Sequence, residues 1–203
     1  MNESIKAVIF DVGGVLVRTY DHTGRQWWEK RLGLPPGGAE AVVLNSEMGH
    51  RAQRGEVSTE ELWHWVGDYL NLGDNLQTFR NDFWRGDAVD ESLRDLLGIL
   101  KNRYQMAVIS NATDALLQTL DGYQLLPYFH LVVGSAFEGI MKPDPTIYKR
   151  ALSRLNLAPH ETVFIDDADA NVLGAQKVGM NAIHFTPTMD LKAKLLKFGV
   201  TLN

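Results

Sequence analysis

The sequence predicts an α/β fold in which a mostly parallel sheet is covered by helices on both faces. Short apolar runs rich in β-branched residues recur along the chain, and amphipathic helical patterns separate them. Because strands and helices alternate, neighbouring strands are expected to run parallel. The first gap between runs is much longer than a single crossover needs, which predicts an insertion there.

Five runs have the length and composition of buried strands. They are AVIF at 7–10, MAVIS at 106–110, LVVGS at 131–135, TVFID at 162–166 and NAIHF at 181–185. Helices are predicted where apolar residues recur at spacings of three and four. Two such patterns are formed by Leu93, Leu96, Leu97 and Leu100, and by Ile147, Ala151, Leu152 and Leu155.

The insertion spans residues 18–86 and is predicted to contain helices only. A PPGG break at 35–38 separates the helical patterns RQWWEKRLGL and STEELWHWVGDYL. In the second pattern Ser58 or Thr59 is expected to cap the helix, with Glu61 as the reciprocal partner. We expect these helices to form a cap over the carboxyl ends of the strands, with residues 1–17 and 87–203 forming the core. The face predicted to be buried in the second helix consists of Leu62, Trp65, Val66 and Tyr69.

The side chains of the insertion that could contact a substrate have ordinary structural explanations. Five tryptophans are predicted mainly to pack in the core of the cap, although they could also line a pocket. They are Trp27, Trp28, Trp63, Trp65 and Trp84. A basic group is predicted mainly to be solvated, although it could also reach an anion; it consists of His50, Arg51 and Arg54.

Composition excludes several function classes. The chain has 203 residues, a net charge of −5 and no cysteine, so disulfides, thiolate metal sites and a thiol nucleophile are excluded. The negative charge gives no electrostatic reason to expect nucleic acid or an anionic membrane as a partner. No apolar run approaches the roughly 20 residues of a membrane span, and MNESIKAV lacks the features of a signal peptide. A cytoplasmic monomer or homodimer is therefore expected.

Polar residues follow the predicted strands at the edge of the sheet where ligands bind in open α/β folds. Each of them alone could be a turn former, a helix cap or a surface charge, but together they can hold Mg²⁺ through oxygen ligands and bind a phosphate. Lys142 lies before PDPTIY, in which Asp144 and Pro145 are expected to begin a helix. The full set is Asp11, Ser110, Asn111, Lys142, Asp166 and Asp167.

Four segments of the sequence resemble the four motifs of the haloacid dehalogenase superfamily, in the branch with a helical cap. They are FDVGGVL, ISNAT, KPDPTIY and FIDDADANVLGAQKVGM, which together span positions 10 to 180. The resemblance implies a Rossmann-like core and, most commonly, Mg²⁺-dependent hydrolysis of small phosphate monoesters.

The resemblance also implies a role for each residue of the set. Asp11 would attack phosphorus and form an aspartyl-phosphate, while Ser110 and Asn111 would position the phosphoryl oxygens and the nucleophile. Lys142 would neutralise charge between them. Asp167 would bind the metal directly, and Asp166 would bind it through a water or support its ligands.

Gly13 departs from the pattern of family phosphatases, which carry a second Asp at this position as a proton donor. The backbone carbonyl of this residue is also a Mg²⁺ ligand in the family, and glycine keeps it. A general acid contributes about 10² to 10⁴ in rate, so its loss would slow the reaction without abolishing it. Sugar 1-phosphates and aryl phosphates, which need little protonation, are then the expected substrates. Asp21 and His22 could replace the missing acid, or could simply belong to a solvated linker.

Two other functions remain open on the sequence. A metal-free 2-haloacid dehalogenase needs no second Asp, but the acidic pair Asp166 and Asp167 would repel a carboxylate substrate. Family dehalogenases also have an aromatic residue where Gly13 stands. A catalytically silent binding domain is favoured only by the missing Asp.

Overall fold

The computed structural model describes residues 4–202 and contains seven strands. These are β1 (Ala7–Phe10), β2 (Val17–Thr19), β3 (Asp87–Val89), β4 (Gln105–Ser110), β5 (Leu131–Gly134), β6 (Thr162–Asp166) and β7 (Asn181–His184). Five of them form a parallel sheet in the order β5-β4-β1-β6-β7, while β2 and β3 form a separate antiparallel ribbon. The α/β fold and its five predicted strands are confirmed.

Eleven α-helices lie within the described residues. They are α1 (Thr23–Leu32), α2 (Gly38–Val43), α3 (Glu47–Gln53), α4 (Thr59–Tyr69), α5 (Leu76–Trp84), α6 (Glu91–Leu100), α7 (Leu116–Gly122), α8 (Ser135–Glu138), α9 (Pro145–Leu155), α10 (Asp169–Lys177) and α11 (Leu191–Lys197). Across residues 4–202, no helix has both the length and the apolar character that crossing a membrane requires.

The central strand β1 separates two hydrophobic clusters because its side chains alternate between the faces of the sheet. Val8 and Phe10 belong to the cluster that includes α6, α7 and α11, while Ala7 and Ile9 belong to the cluster that includes α9 and α10. All four side chains are fully buried. Both faces of the sheet are therefore covered, as the unbroken apolar run predicts.

The strand order reverses beside β1. From β1 the chain continues to β4 and β5 on one side, and then crosses to β6 and β7 on the other. Phe10 is in register with Val108 of β4 and with Ile165 of β6, so the three strands end at the same edge. A reversal of this kind opens a crevice at the carboxyl ends of the strands, where ligands bind in such folds.

Helices α1 to α5 pack around a third cluster whose members all lie between residues 28 and 83. Trp28 and Trp63 are buried in it, as predicted, but Trp27 and Trp84 are 52% and 41% exposed. The capping box of Ser58 and Glu61 at the start of α4 is confirmed. The residues that α4 buries are Leu62, Trp63, Val66 and Gly67. The predicted face was wrong in including Tyr69, which is 59% exposed, whereas Trp65 is partly buried and packs against the cluster.

The prediction of helices only in residues 18–86 was wrong at its start. Arg18 and Thr19 belong to β2, which pairs with β3, and this ribbon connects the helical segment to the sheet. Arg25 of α1 is buried beside the ribbon and forms ion pairs with Asp87 and with Glu40. The ribbon has no strong local pattern, because each strand has three residues and the partners lie about 70 positions apart.

The helical segment contacts the sheet domain again next to the loop after β4. The backbone N–H of Thr59 donates to Asp114 Oδ1 at 3.0 Å, and its hydroxyl donates to Thr113 Oγ1 at 2.7 Å. A Cβ at Gly55 would lie 2.1 Å from the carbonyl oxygen of Ala136, so α3 and α8 approach closely there. A space therefore remains between the two attachments, above the ends of β1 and β4.

Candidate active site

The loop after β1 places Asp11 over the crevice. The backbone N–H of Asp11 donates to the carbonyl of Ile165 at 2.9 Å, which extends the pairing with β6 by one residue. The chain then turns back on itself, since the N–H of Val17 donates to the carbonyl of Val12 at 2.9 Å. The Asp11 side chain is consequently held at the end of the central strand, and the residue is 7% exposed.

The two glycines of this loop have different structural explanations. Gly14 has a φ of +78°, and a Cβ there would lie 2.0 Å from Asp167 Oδ2. Gly13 has no heavy atom within 4 Å of a Cβ position, and its φ lies outside the left-handed region. Glycine is therefore required at position 14 for close approach and conformation, whereas position 13 has room for a side chain.

Lys142 lies between two carboxylates and is fully buried at its side chain. Its Nζ donates to Asp166 Oδ2 at 2.6 Å and lies 2.9 Å from Asp11 Oδ1. The second contact is an ion pair without the geometry of a hydrogen bond, so Asp11 Oδ1 has no hydrogen-bond donor among the described residues. That oxygen is buried and free to bind a cation or to attack an electrophile.

Asn111 fixes the backbone of Lys142. The Lys142 N–H donates to Asn111 Oδ1 at 2.7 Å, and Asn111 Nδ2 donates to the Lys142 carbonyl at 3.0 Å. Both ends of the amide thus hold the residue that carries the ammonium group. The side chain of Asn111 positions Lys142, and its predicted contact with phosphoryl oxygens stays a prediction.

Asp166 is fully buried and its oxygens are already engaged. Oδ1 accepts from the N–H of Ala168 at 2.8 Å, and Asn171 Nδ2 lies 3.1 Å from both oxygens. Asn171 is held in turn by Tyr148, whose hydroxyl donates to the Asn171 carbonyl at 2.9 Å. We did not predict these roles for Asn171 and Tyr148. The only local signal was the position of Asn171 in DDADAN, one turn after the acidic pair.

Ser110 ends β4 beside Asp11 and is 3% exposed. The loop that follows it is held by Ser135, another residue that sequence reasoning missed. The N–H of Ala112 donates to Ser135 Oγ at 3.0 Å, and this hydroxyl donates to the Ala112 carbonyl at 3.1 Å. The predicted polar groups that follow β1, β4 and β6 are therefore brought together with Lys142 at one edge of the sheet.

The carboxylates of Asp11, Asp166 and Asp167 form a compact acidic cluster. One oxygen of each lies within 4.8 Å of the others. Burial raises the pKa of Asp11 to about 6. The positive charge of Lys142 lowers this pKa, and the negative charge of Asp166 raises it. Burial and the charge of Asp166 also raise the pKa of Asp167.

The one ammonium group of Lys142 can balance only one of the three carboxylate charges. A hard divalent cation with oxygen ligands would balance this charge. The buried Oδ1 of Asp11, which has no hydrogen-bond donor, and the carboxylate of Asp167 are ligands of the required kind. The residues present therefore fit Mg²⁺.

A cavity of about 670 Å³ opens from this site into the space between the helical segment and the sheet domain. Val12, Gly13, Ser110 and Asn111 line its end next to Asp11. Its volume lies within the range of about 300 to 1,000 Å³ that is usual for small-molecule sites. The site therefore combines an acidic, lysine-bridged cluster with room for a substrate of moderate size.

The residues considered as replacements for the missing acid lie elsewhere. Asp21 Oδ1 accepts from the Thr23 N–H at 2.8 Å at the start of α1, and neither Asp21 nor His22 lines the cavity.

Two residues of the basic group in the helical segment also lie away from the cavity. Arg51 and Arg54 form exposed ion pairs with Glu56 and lie outside the lining. These contacts agree with the predicted linker and surface roles.

Comparison with known proteins gives a consistent result. The family model described as haloacid dehalogenase-like hydrolase matches residues 5–179. The chain is 32% identical to the sesquiterpene phosphatase astK of Aspergillus oryzae, over 93% of this chain and 94% of that protein. It is 27% identical to the validoxylamine A 7'-phosphate phosphatase of Streptomyces hygroscopicus subsp. limoneus, over 93% and 89% of the two chains. It is also 27% identical to the (S)-2-haloacid dehalogenase 4A of Burkholderia cepacia, over 90% and 84%.

A solved structure shares the fold. It is a haloacid dehalogenase (HAD) family enzyme from Bacteroides thetaiotaomicron in complex with magnesium and inorganic phosphate, with a TM-score of 0.80 at 20% identity. The match covers 94% of this chain and 99% of that one. Because the sequence identity is only 20%, this structural similarity establishes the Rossmann-like fold alone.

Proposed function

Because this chain belongs to the haloacid dehalogenase-like hydrolase family, we propose that it is a Mg²⁺-dependent phosphatase that hydrolyses small phosphate monoesters through an aspartyl-phosphate on Asp11. One observation carries the proposal: Asp11 has a buried oxygen without a hydrogen-bond donor, 2.9 Å from the Lys142 ammonium and next to one end of a substrate-sized cavity. Two of the relatives named above are phosphatases, which supports the same reaction.

In the proposed first step, a carboxylate oxygen of Asp11 forms a bond to phosphorus as the bond to the ester oxygen breaks. The leaving alkoxide takes its proton from water, because Gly13 has no side chain to supply one. Water then attacks phosphorus, the bond to Asp11 breaks, and inorganic phosphate leaves. Phosphoryl transfer of this kind depends mainly on positioning and on stabilisation of the equatorial oxygens.

The residues around Asp11 have supporting roles in this proposal. Lys142 holds positive charge beside the nucleophile, and Asp166 and Asn111 fix its position from two sides. Ser110 lies where its hydroxyl can donate to Asp11 or to a phosphoryl oxygen. Bound Mg²⁺ would neutralise charge on the phosphoryl group, held by Asp11, the carbonyl of Gly13 and Asp167, with Asp166 behind them.

We also propose that residues 18–86 act as a cap domain on a core formed by 1–17 and 87–203. The separate hydrophobic cluster of α1 to α5 and the cavity beneath these helices support this division. The organic part of the substrate would then lie between cap and core. The named phosphatase relatives act on different compounds and leave its identity open.

A 2-haloacid dehalogenase is the second candidate, and one relative carries that name. In this reaction Asp11 would attack carbon and displace a halide without a metal. The acidic cluster opposes it, because Asp166 and Asp167 would repel a substrate carboxylate when no cation lies between them. A catalytically silent binding domain would explain Gly13, but would leave the buried, lysine-bridged Asp11 without a use.

The test is hydrolysis of 4-nitrophenyl phosphate with Mg²⁺ and with EDTA, by wild type and by Asp11→Asn. We expect turnover that requires Mg²⁺ and falls at least 10³-fold in the variant, since the nucleophile is removed. Asp169→Asn, an exposed acid at the start of α10, is the matched control and should keep wild-type activity. Undiminished activity in Asp11→Asn would contradict the mechanism. Turnover of 2-chloropropionate in EDTA, without phosphatase activity, would favour the dehalogenase.

A further inference from the structure

The cavity next to Asp11 has a mostly apolar wall. The helical segment contributes Val43, Leu44, Leu62, Trp63 and Trp84, and the sheet domain contributes Val12, Val17, Ala112, Ala115, Leu116 and Tyr123. Trp63 and Trp84 meet edge to face with their ring centroids 6.5 Å apart. Trp84 is 41% exposed and Trp63 is 3% exposed, and both line the cavity.

The charged side chains of the wall already have partners. Arg80 forms an ion pair with Glu60 at 2.9 Å, and its guanidinium lies over the ring of Trp63. Asp87 Oδ1 accepts from Arg25 at 2.9 Å and from the Thr19 hydroxyl at 2.6 Å. These charges are compensated within the protein. Among the described residues, the wall therefore has no free counterion for a second charged group of a substrate.

Several uncharged polar residues of the lining are exposed or already hydrogen-bonded within the protein, as the hydroxyl of Thr59 is to Thr113. Gln53 uses its amide to donate to the Leu44 carbonyl at 2.7 Å. Asn45, Gln118 and Thr119 are exposed and belong to the outer rim. A sugar ring inside the cavity would lose water from its hydroxyls without recovering equivalent hydrogen bonds, which is costly.

Gly13 joins the phosphate-binding end to this apolar space. It lines the cavity, and nothing lies within 4 Å of its Cβ position. The Asp of family phosphatases would place a carboxylate at this junction, next to the apolar wall. Glycine leaves the junction wide and uncharged, so a bulky apolar group can continue from the phosphate into the cavity.

We propose that the substrates are phosphate monoesters of hydrophobic alcohols or phenols of moderate size, whose organic group lies against Trp63 and Trp84. This inference depends on the proposed phosphatase function and defines its substrate class. The phosphate would occupy the polar end at Asp11 and Lys142, and the organic group would displace water from the apolar wall. Sugar phosphates, which the sequence alone favoured, would be poor substrates.

The first experiment measures kcat/KM with Mg²⁺ for n-alkyl phosphates from propyl to decyl, and for glucose 6-phosphate, whose leaving group is also a primary alkoxide. Burial of one methylene contributes enough for about a fourfold gain in kcat/KM. We therefore expect about two- to fourfold per methylene until the cavity is filled, and the longer esters should exceed glucose 6-phosphate. Equal values along the alkyl series, or a preference for a sugar phosphate, would overturn the inference while leaving the phosphatase function intact.

Two exposed tryptophans provide a matched pair of variants. Trp84→Ala removes part of the cavity wall, whereas Trp27→Ala changes a tryptophan of α1 that is 52% exposed and does not line the cavity. We expect Trp84→Ala to lower kcat/KM for decyl phosphate about tenfold or more, and for propyl phosphate less than threefold. Trp27→Ala should leave both unchanged. Equal losses on both esters in Trp84→Ala would contradict contact with the organic group.

Measurements of ligand binding distinguish failure of the inferred substrate class from failure of the proposed phosphatase function. Alkylphosphonates are not hydrolysed, so their affinity can be measured by titration calorimetry with Mg²⁺ present. Affinity that rises with chain length, together with turnover of the esters, supports both proposals. If affinity rises but no ester is turned over, the phosphatase function is wrong and the apolar binding site remains. Affinity independent of chain length would refute the site itself.

Discussion

Gly13 provides the sharpest test of how this site works, because the substitution Gly13→Asp restores the proton donor that the proposed mechanism lacks. The structure allows the change: no heavy atom lies within 4 Å of the Cβ position, and the φ of Gly13 lies outside the left-handed region. The residue is exposed and lines the cavity beside Asp11. A carboxyl group at this position would adjoin the oxygen of the leaving group.

The gain and the cost of this substitution can be compared. A general acid contributes about 10² to 10⁴ in rate, or about 3 to 5 kcal/mol of barrier. Repulsion from Asp11 and Asp167, about 4 kcal/mol for two unit charges 4 Å apart near a protein surface, acts on the ionised form of the new carboxyl and so favours the protonated form that donates. The expected gain in rate is therefore about 10²- to 10⁴-fold. The gain should be greatest for alkyl esters, whose alkoxides are strongly basic.

The assay is single-turnover phosphorylation of the enzyme by a series of aryl and alkyl phosphates with Mg²⁺ bound. Wild type should lose rate steeply as the leaving group becomes more basic, and Gly13→Asp should lose it less. Gly13→Asn is the matched control, because it has the same size and cannot supply the proton. A shallow dependence in wild type would show that another group already donates the proton. Equal rates in the Asp and Asn variants would refute proton donation from position 13.

Two further predictions concern the residues that organise the site. Gly14→Ala should weaken Mg²⁺ binding at least tenfold by calorimetry, because the added Cβ would lie 2.0 Å from Asp167 Oδ2. The control Gly13→Ala, where space is open, should bind Mg²⁺ normally. Equal Mg²⁺ affinity of the two variants would contradict the argument. Asn111→Ala should lose about 1 to 3 kcal/mol of unfolding free energy in urea, because two backbone groups of Lys142 lose their partner, and should lower kcat more than KM. A change in KM alone would argue against positioning of the lysine.

Local patterns in the sequence determined the strands and the positions of their polar ends. AVIF and TVFID are apolar on both faces because helices cover both sides of the sheet, so their runs are unbroken and easy to identify. Asp11, Ser110 and Asp166 follow or end such runs, and parallel strands end at one edge. Their convergence therefore follows from alternation of strands and helices, without knowledge of any distant contact.

Other features depend on residues that lie far apart in the chain, and only the tertiary structure decided them. Asn111 holds Lys142 across 31 positions, and β2 pairs with β3 across about 70. Nothing in the local sequence encodes such pairs, because each member is also compatible with an ordinary loop. The different exposure of Trp63 and Trp84 has the same origin. Both are large apolar residues in helices that line the cavity, and only the packing of α4 against α5 buries Trp63 in the cluster and leaves Trp84 41% exposed.

The two glycines after Asp11 show most clearly which features follow from the sequence and which depend on the tertiary structure. The sequence determined that Asp11, the proposed nucleophile, is followed by two glycines at positions 13 and 14, and that the proton donor usual in family phosphatases is absent. Only the structure distinguished Gly14, which the carboxylate of Asp167 and a positive φ require, from Gly13, which nothing nearby constrains. The physical reason is that steric necessity depends on which distant atoms occupy the space next to a backbone, and this is known only when the chain has folded.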